Sequence, residues 1–598
     1  MAKKEDTTGE MSEGLQVELF HPESSREPGD TNIQGPGYDI HPVVFPVALA
    51  IIAVFVVLTV FFQNFAAIVG LTNPDGSLMA AADAYGAVRS FFEGNFGWFF
   101  LLAVNVFIVT ILYFALGKYG KIRIGGVEAK KEFSDFSWMA MLFSAGMGIG
   151  LMFYSVSEPL YYFGNVPGFF GSEAGTGAAA SAAMAQTFFH WGFHPWAVYG
   201  LVGLGLAFFS FNRGLPLTFR SIFWPLLGER IYGWPGHLID LVTVFATLFG
   251  LSTSLGLGVA QVNAGLSYVL GDMLGVLSVP TGPIPQVLLI GGITLIATAS
   301  VAAGLEGGVK RLSTVNLYLM FTLLGFLLIV GPTVYIFGTW VQGLGTYFGN
   351  LLSLSFFTGT MGDGASTVSA WTVFYWAWWI AWSPFVGMFI ARISKGRTVR
   401  EFVVGVLFLP SLFSTIWLSA FGGSAMFNSL QQDGTVLQIY NEAGQTVAMF
   451  ALLDQFPLGA ISGLLATLLV ITFFVTSSDS GSLVIDHLTS GGKHDVPRAQ
   501  RIFWAVTEGL VAALLLWGGG LNALQTAAIA TGFPFALILV LMCYTVYRGL
   551  DNEYEILESE EFAERIEDMS EKDGVDVVKS GSETVTDIKG GRDAEGTD

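Results

Sequence analysis

Residues 371–385 read WTVFYWAWWIAWSPF, and Trp371, Trp376, Trp378, Trp379 and Trp382 fall within twelve positions of it. The run is otherwise apolar and reads as a helix. At helical spacing Trp371, Tyr375, Trp378, Trp382 and Phe385 follow one another at steps of four, three, four and three. They form one aromatic face, with Trp379 beside it. Such a face has two readings. Aromatic residues pack membrane cores, and tryptophan collects at membrane interfaces where its N–H finds water. Several ring faces together also hold a quaternary ammonium, a permanent cation without N–H donors, at about 0.5–2 kcal/mol per contact. This stretch alone leaves both open.

The composition around it decides the class. Of 598 residues 53% are hydrophobic and only 12% charged, a balance no soluble domain of this size tolerates. The chain is therefore read as an all-α polytopic membrane protein. Its 74 glycines suit close helix packing in lipid. The single cysteine, Cys543, excludes an intramolecular disulfide and a multi-cysteine metal site. Apolar spans recur near 43–63, 97–117, 136–163, 178–210, 237–270, 284–303, 313–338, 368–393, 400–424, 457–486, 501–517 and 521–547, which predicts twelve transmembrane helices. Seventeen Lys and Arg residues, from Lys118 to Arg501, fall in alternate connections, whereas the opposite set holds only Arg89. That asymmetry places both termini in the cytoplasm and requires an even number of spans. Residues 1–40 carry nine acids and three bases and read as a disordered cytoplasmic tail; residues 549–598 carry seventeen acids and five bases and form an acidic cytoplasmic tail. The acidic excess is solvated disorder or a mark of life at high salt.

Three further stretches interrupt the apolar background. In FSAGMGIGLMFYSVSEP, residues 143–159, Gly146, Gly148 and Gly150 break a span near its middle. They allow either close helix contact or an unwound segment whose freed carbonyls meet a cation. In FVTSSDSGSL, residues 473–482, Thr476, Ser477, Ser478, Asp479, Ser480 and Ser482 exceed the hydroxyl content that backbone carbonyls one turn back would satisfy. In HWGFHPWAVY, residues 190–199, the histidines lack a carboxylate or thiol spaced to complete a metal site.

GMGIGLMFYSVSEP, HWGFHPWAVYGLVG, FYWAWWIAWSPFVGMFIARISKGR and FVTSSDSGSLVID together resemble the betaine/choline/carnitine transporter family, over about residues 40 to 548. The resemblance implies LeuT-like inverted five-helix repeats preceded by two extra helices, in a homotrimer. On this chain residues 41–135 would hold the two peripheral helices and a basic cytoplasmic loop. Residues 136–338 and 368–548 would be the repeats, and residues 339–367 an interfacial connecting helix over about 345–357. The family pattern puts the substrate ammonium among Trp378, Trp379 and Trp382, faced by Trp191, Trp196 and Tyr199, with Ala145 and Met147 contributed by the broken helix. It puts a sodium ion on the carbonyls of Ser144, Met147 and Phe473 and the hydroxyls of Thr476 and Ser477. Their spacing projects to one face, and an all-oxygen, mostly neutral shell suits a hard monovalent cation.

Two features depart from the pattern. A second sodium site would use Thr247 and Phe385, but the position four after Thr247 is Leu251, with Ser252 and Thr253 adjacent. The C-terminal extension is acidic where osmosensing members have a basic one. Family carriers of choline that couple to protons also have aspartate where this chain has Gly150. The resemblance thus implies sodium-coupled uptake of a trimethylammonium solute, glycine betaine, for osmoprotection, with sodium as coupling ion and no other cofactor. The alternative within the family is a choline or carnitine carrier, proton-coupled or a sodium-independent exchanger. The expected setting is the cell membrane, with lipid as a partner and no nucleic acid. An enzyme is disfavoured: HExxH and Walker A segments are absent, and Asp479 and Glu158 have no catalytic partner legible in the sequence.

Overall fold

Without water to bond to, a backbone in lipid must satisfy its own N–H and C=O groups, so an apolar chain of this kind is driven into helix. The structure, a computed structural model, follows that rule; it describes residues 27–145, 148–303, 310–362, 364–493, 495–573, 575–578 and 587–590. In chain order the long helices are Val44–Val60, Ala81–Leu116, Asp135–Ala145, Ile149–Gly164, Gly177–Trp191, Phe193–Phe211, Trp234–Ser267, Pro283–Ala303, Lys310–Val330, Thr333–Gly349, Phe374–Ile393, Val399–Gln431, Gly459–Thr489 and Arg498–Asp573. Among the described residues nine helical units are long and apolar enough to cross a membrane, or ten if Val44–Val60 and Phe62–Val69, bent by 81°, count as one. The chain is a multi-pass, all-α membrane protein.

Three places decide how these helices compare with the twelve expected spans. The unit Arg498–Asp573 counts once, but Gly520 within it has φ 62° and ψ −145° and separates two helices across a kink. Asp135–Ala145 and Ile149–Gly164 flank residues 146 and 147, which lie outside the described residues. The span expected to run to residue 338 ends at Val330, because Gly331 and Pro332 interrupt it. The following helix, Thr333–Gly349, then lies against Gly177–Trp191, where Ser181 Oγ and Thr346 Oγ1 are 2.8 Å apart.

The aromatic helix Phe374–Ile393, entered through a π-helical turn over Val368–Val373, sits in the core. Small residues let its neighbours come close. A side chain at Gly250 would lie 3.0 Å from the Ala381 carbonyl carbon, and one at Gly532 would lie 2.7 Å from the Ala377 carbonyl oxygen. In lipid such close approach replaces the hydrophobic drive that water would supply.

Residues 1–26 lie outside the described residues, but residues 27–40, expected as part of a disordered tail, are ordered. Ile33–Gly35 and Tyr38–Ile40 pair antiparallel as a hairpin. Its polar groups meet the end of Gly459–Thr489 and the start of Arg498–Asp573. Asp39 N donates to Gln500 Oε1 at 2.9 Å, Lys493 Nζ donates to Asp39 Oδ2 at 2.5 Å, and Asn32 Nδ2 donates to the Ser490 carbonyl at 2.9 Å. The C-terminal helix is tied at its root as well, with Lys118 Nζ 2.9 Å from Asp551 and Glu553 paired with Arg213.

His41 joins the hairpin to the first span: its Nδ1 accepts from Val43 N and Val44 N at 3.2 Å each. Burial, with Arg220 and His237 adjacent, pushes His41 down to about 3 from its ordinary 6.5. The released hairpin takes up a proton near 6.5 and the docked one does not, so docking weakens as pH falls below that value. At pH 5.5 the hairpin amides should lose about tenfold of their exchange protection, corrected for intrinsic rates. A His41→Asn variant should lose this dependence, and protection in the wild type that is independent of pH would contradict the account.

Candidate functional site

The rings of Trp378 and Trp379 stack at 4.9 Å and 16°, and Trp191 meets Trp379 edge-on at 4.9 Å. Tyr199 stands 6.1 Å from Trp379 and 5.3 Å from Trp196, both edge-on. Together with Trp382 they line one cavity of ≈ 40 Å³, closed on the remaining side by Gly148, Ile149, Gly150 and Leu151. The six aromatic residues the family pattern names, Trp191, Trp196, Tyr199, Trp378, Trp379 and Trp382, thus share one cavity although they come from three helices.

What orients these rings is the fate of their N–H groups. Trp378 Nε1 donates to Ser254 Oγ at 3.2 Å, Trp379 Nε1 to the His190 carbonyl at 3.0 Å, and Trp191 Nε1 to Glu158 Oε2 at 2.8 Å. Each donor is committed to the protein, which leaves ring surface to the cavity. Trp382 Nε1 and the Tyr199 hydroxyl are buried and without a partner among the described residues.

The broken helix supplies the polar end. Gly148 is fully extended (φ −170°, ψ −174°) and opens the helix Ile149–Gly164 with that helix's first N–H groups at the cavity. At Gly150 a Cβ would lie 2.7 Å from Trp378 Cη2 and 2.9 Å from Trp191 Cη2. Only glycine lets both rings rest on the backbone there. Ala145 ends the preceding helix, but its side chain and all of Met147 lie outside the described residues.

A second cavity of ≈ 130 Å³ lies against the first, with Trp382 lining both. Ser144, Phe473, Thr476 and Ser477 surround it, as do Asn316 and Phe385. The structure therefore brings together the described members of the expected sodium set, from the broken helix and from Gly459–Thr489. Thr247 does not join them. Its hydroxyl donates to the Thr243 carbonyl at 2.8 Å, and Leu251 packs so tightly on Gly481 that a side chain there would come within 2.1 Å. Ser252 and Thr253 give their hydroxyls to backbone carbonyls. Phe385 lines the second cavity, whereas Thr247 is not among the residues that line it.

The sequence of residues 43–555 matches the model of the BCCT, betaine/carnitine/choline family transporter. The chain belongs to this family. It is 44% identical over 531 residues to a glycine betaine/proline/choline transporter of Vibrio parahaemolyticus, covering 86% of this chain and 91% of that one. It is 44% identical over 536 residues to glycine betaine transporter 1 of the same organism, covering 88% and 96%. It is 45% identical over 476 residues to a probable glycine betaine transporter of Desulfitobacterium hafniense, covering 79% and 93%. As a member of the BCCT family the protein is a transporter and not an enzyme.

Three residues around these cavities escaped the sequence reading in their roles. Ser254 anchors Trp378. Asn316 Nδ2 donates to Thr476 Oγ1 at 3.0 Å, and its Oδ1 is buried without a partner among the described residues. Glu158, fully buried, holds Trp191 from behind. Their only signal is polarity inside an apolar span, which at membrane depth points to function.

Gly150→Ala tests the packing directly. Alanine gains up to about 1 kcal/mol of helix propensity, but it forces two anchored indoles off their hydrogen bonds, an overpacking cost of about 1–3 kcal/mol. The variant should unfold at a lower temperature than the wild type, and an unchanged or raised midpoint would show the rings free to swing aside.

Proposed function

We propose that this BCCT-family transporter carries a trimethylammonium zwitterion, glycine betaine, into the cell together with sodium, by alternating access. The observation that carries the proposal is the cavity whose walls are indole and phenol rings with Trp191, Trp378 and Trp379 N–H groups bonded elsewhere. Its ring faces attract a cation that offers no hydrogen-bond donor. The carboxylate end finds the start of the helix Ile149–Gly164, where free N–H groups and the helix dipole favour an anion, and the unpartnered donors Tyr199 Oη and Trp382 Nε1. The relatives named as glycine betaine transporters support the same substrate.

Sodium as the coupling ion is supported by the neutral oxygen set beside Trp382, from Ser144, Phe473, Thr476 and Ser477, with Met147 completing it in the family pattern. A betaine has no net charge, so the membrane potential acts on the ion, at about 2.3 kcal/mol per charge per 100 mV. One sodium site is better supported than two, because Thr247 spends its hydroxyl inside its own helix. Choline is the second reading, since the names of two relatives include it. A glycine at 150 gives a cationic substrate no carboxylate within the cavity itself.

For the whole molecule we propose twelve spans, counting a broken span over residues 136–163 and two spans divided at Gly520. They are arranged as two helices followed by inverted repeats over 136–338 and 368–548. The basic connections orient both termini to the cytoplasm of the cell membrane, and a homotrimer serving osmoprotection completes the proposal.

Two measurements test it. Trp379→Leu should abolish betaine uptake while Trp379→Phe retains part of it; binding unchanged in the leucine variant would refute the cage. In liposomes an imposed sodium gradient should drive accumulation that a proton gradient in sodium-free buffer does not, and changing Thr476 and Ser477 together to Ala should remove that drive. Equal accumulation without sodium would overturn the coupling and leave the cage intact.

A further inference from the structure

The cage is held from behind by a carboxyl group that does not line its cavity. Glu158 has no exposed surface, and three side chains from two other helices converge on its carboxyl group. Trp191 Nε1 donates to Oε2 at 2.8 Å, the Tyr375 hydroxyl donates to the same oxygen at 2.6 Å, and His190 Nδ1 lies 2.6 Å from Oε1. His190 is itself held, with Nε2 2.9 Å from Thr372 Oγ1 and 3.1 Å from Gln186 Nε2. Indole N–H is a donor only, so at least that bond needs the carboxyl oxygen as acceptor. A carboxyl group at this depth is costly to bury, and cavity filling alone does not call for one.

The chemistry of the connection suggests what it does. Of the rings that Glu158 holds, Trp191 lines the substrate cavity, while Tyr375 stacks on Trp379 from behind at 5.9 Å and 13°. An N–H or O–H that donates to an anionic acceptor is polarised, and electron density shifts back into its ring. A richer ring face binds a cation more tightly. Trp379, by contrast, donates to the neutral carbonyl of His190. We propose that Glu158 is a positioning residue that sets the charge selectivity of the cage, acting through the Trp191 N–H to strengthen that ring's hold on a quaternary ammonium. This rests on the reading of the cavity as a trimethylammonium site.

The inference separates from a purely structural role by comparing two ligands of one shape. Betaine and 3,3-dimethylbutanoate both carry a carboxylate and three methyl groups, but the second has carbon in place of the charged nitrogen. Equilibrium binding of each is measured, by competition with labelled betaine, on the full-length protein and on Glu158→Gln. The wild type should prefer betaine, and Glu158→Gln should reduce the preference about tenfold, the scale of one strengthened cation–ring contact. Weakening of both ligands by the same factor, with the preference intact, overturns the inference and leaves Glu158 a packing residue. If Glu158→Gln does not fold, Trp191→Phe and Trp379→Phe decide. Each keeps a ring and loses an N–H, but only the first cuts the link to Glu158, so it should lose more of the preference. Equal losses overturn the proposal. A wild type that binds neither ligand overturns the transport reading first and this inference with it.

Discussion

An indole offers its face to a ligand at least cost when its N–H is satisfied elsewhere, because an orphaned donor in a water-poor interior costs about 1–3 kcal/mol. That constraint organises this protein's centre. Trp378, Trp379 and Trp191 each send the donor outward, to Ser254, to the His190 backbone and to Glu158. The acceptors belong to three different helices, so the cage fixes the relative placement of those helices as much as they fix the cage. Close approach at Gly250 and Gly532 is the complement of this arrangement, since it brings neighbouring helices within reach of the aromatic one.

The aromatic face read from the steps between Trp371 and Phe385 is present, but it divides along the helix into four tiers. Trp371 packs with Tyr161 at 4.7 Å and Tyr154 at 5.7 Å, and Tyr375 joins the Glu158 layer. Trp378 and Trp379 line the cage, and Trp382 with Phe385 borders the second cavity. Periodicity revealed the face because helical geometry alone sets it. It could not reveal the tiers, because they depend on partners far along the chain. Glu158 is the plainest case: its contacts lie 32, 33 and 217 residues away, and no local pattern marks them. The ordered hairpin was illegible for the same reason, since its polar residues look like tail until Ser490, Lys493 and Gln500 are beside them. Helix breaks at Gly331 and Pro332 were legible residue by residue, yet the apolar run on either side masked them.

Trp382 is one wall of two compartments. One is lined by ring faces and a helix start, the other by hydroxyls and the amide of Asn316. A side chain common to both gives the two cavities a shared wall. Its N–H is buried and has no partner among the described residues, unlike those of Trp191, Trp378 and Trp379.

The hairpin at residues 33–40 also bears on how the protein is made. Its partners are about 460 residues downstream. At ribosomal speeds of roughly 5–20 residues per second, the segment waits on the order of half a minute to a minute and a half before they emerge. Every membrane segment up to Gly459–Thr489 must be threaded into the bilayer first. A piece made near the start of synthesis is thus among the last to find its place, and its docking can take place only on a chain whose insertion is nearly complete.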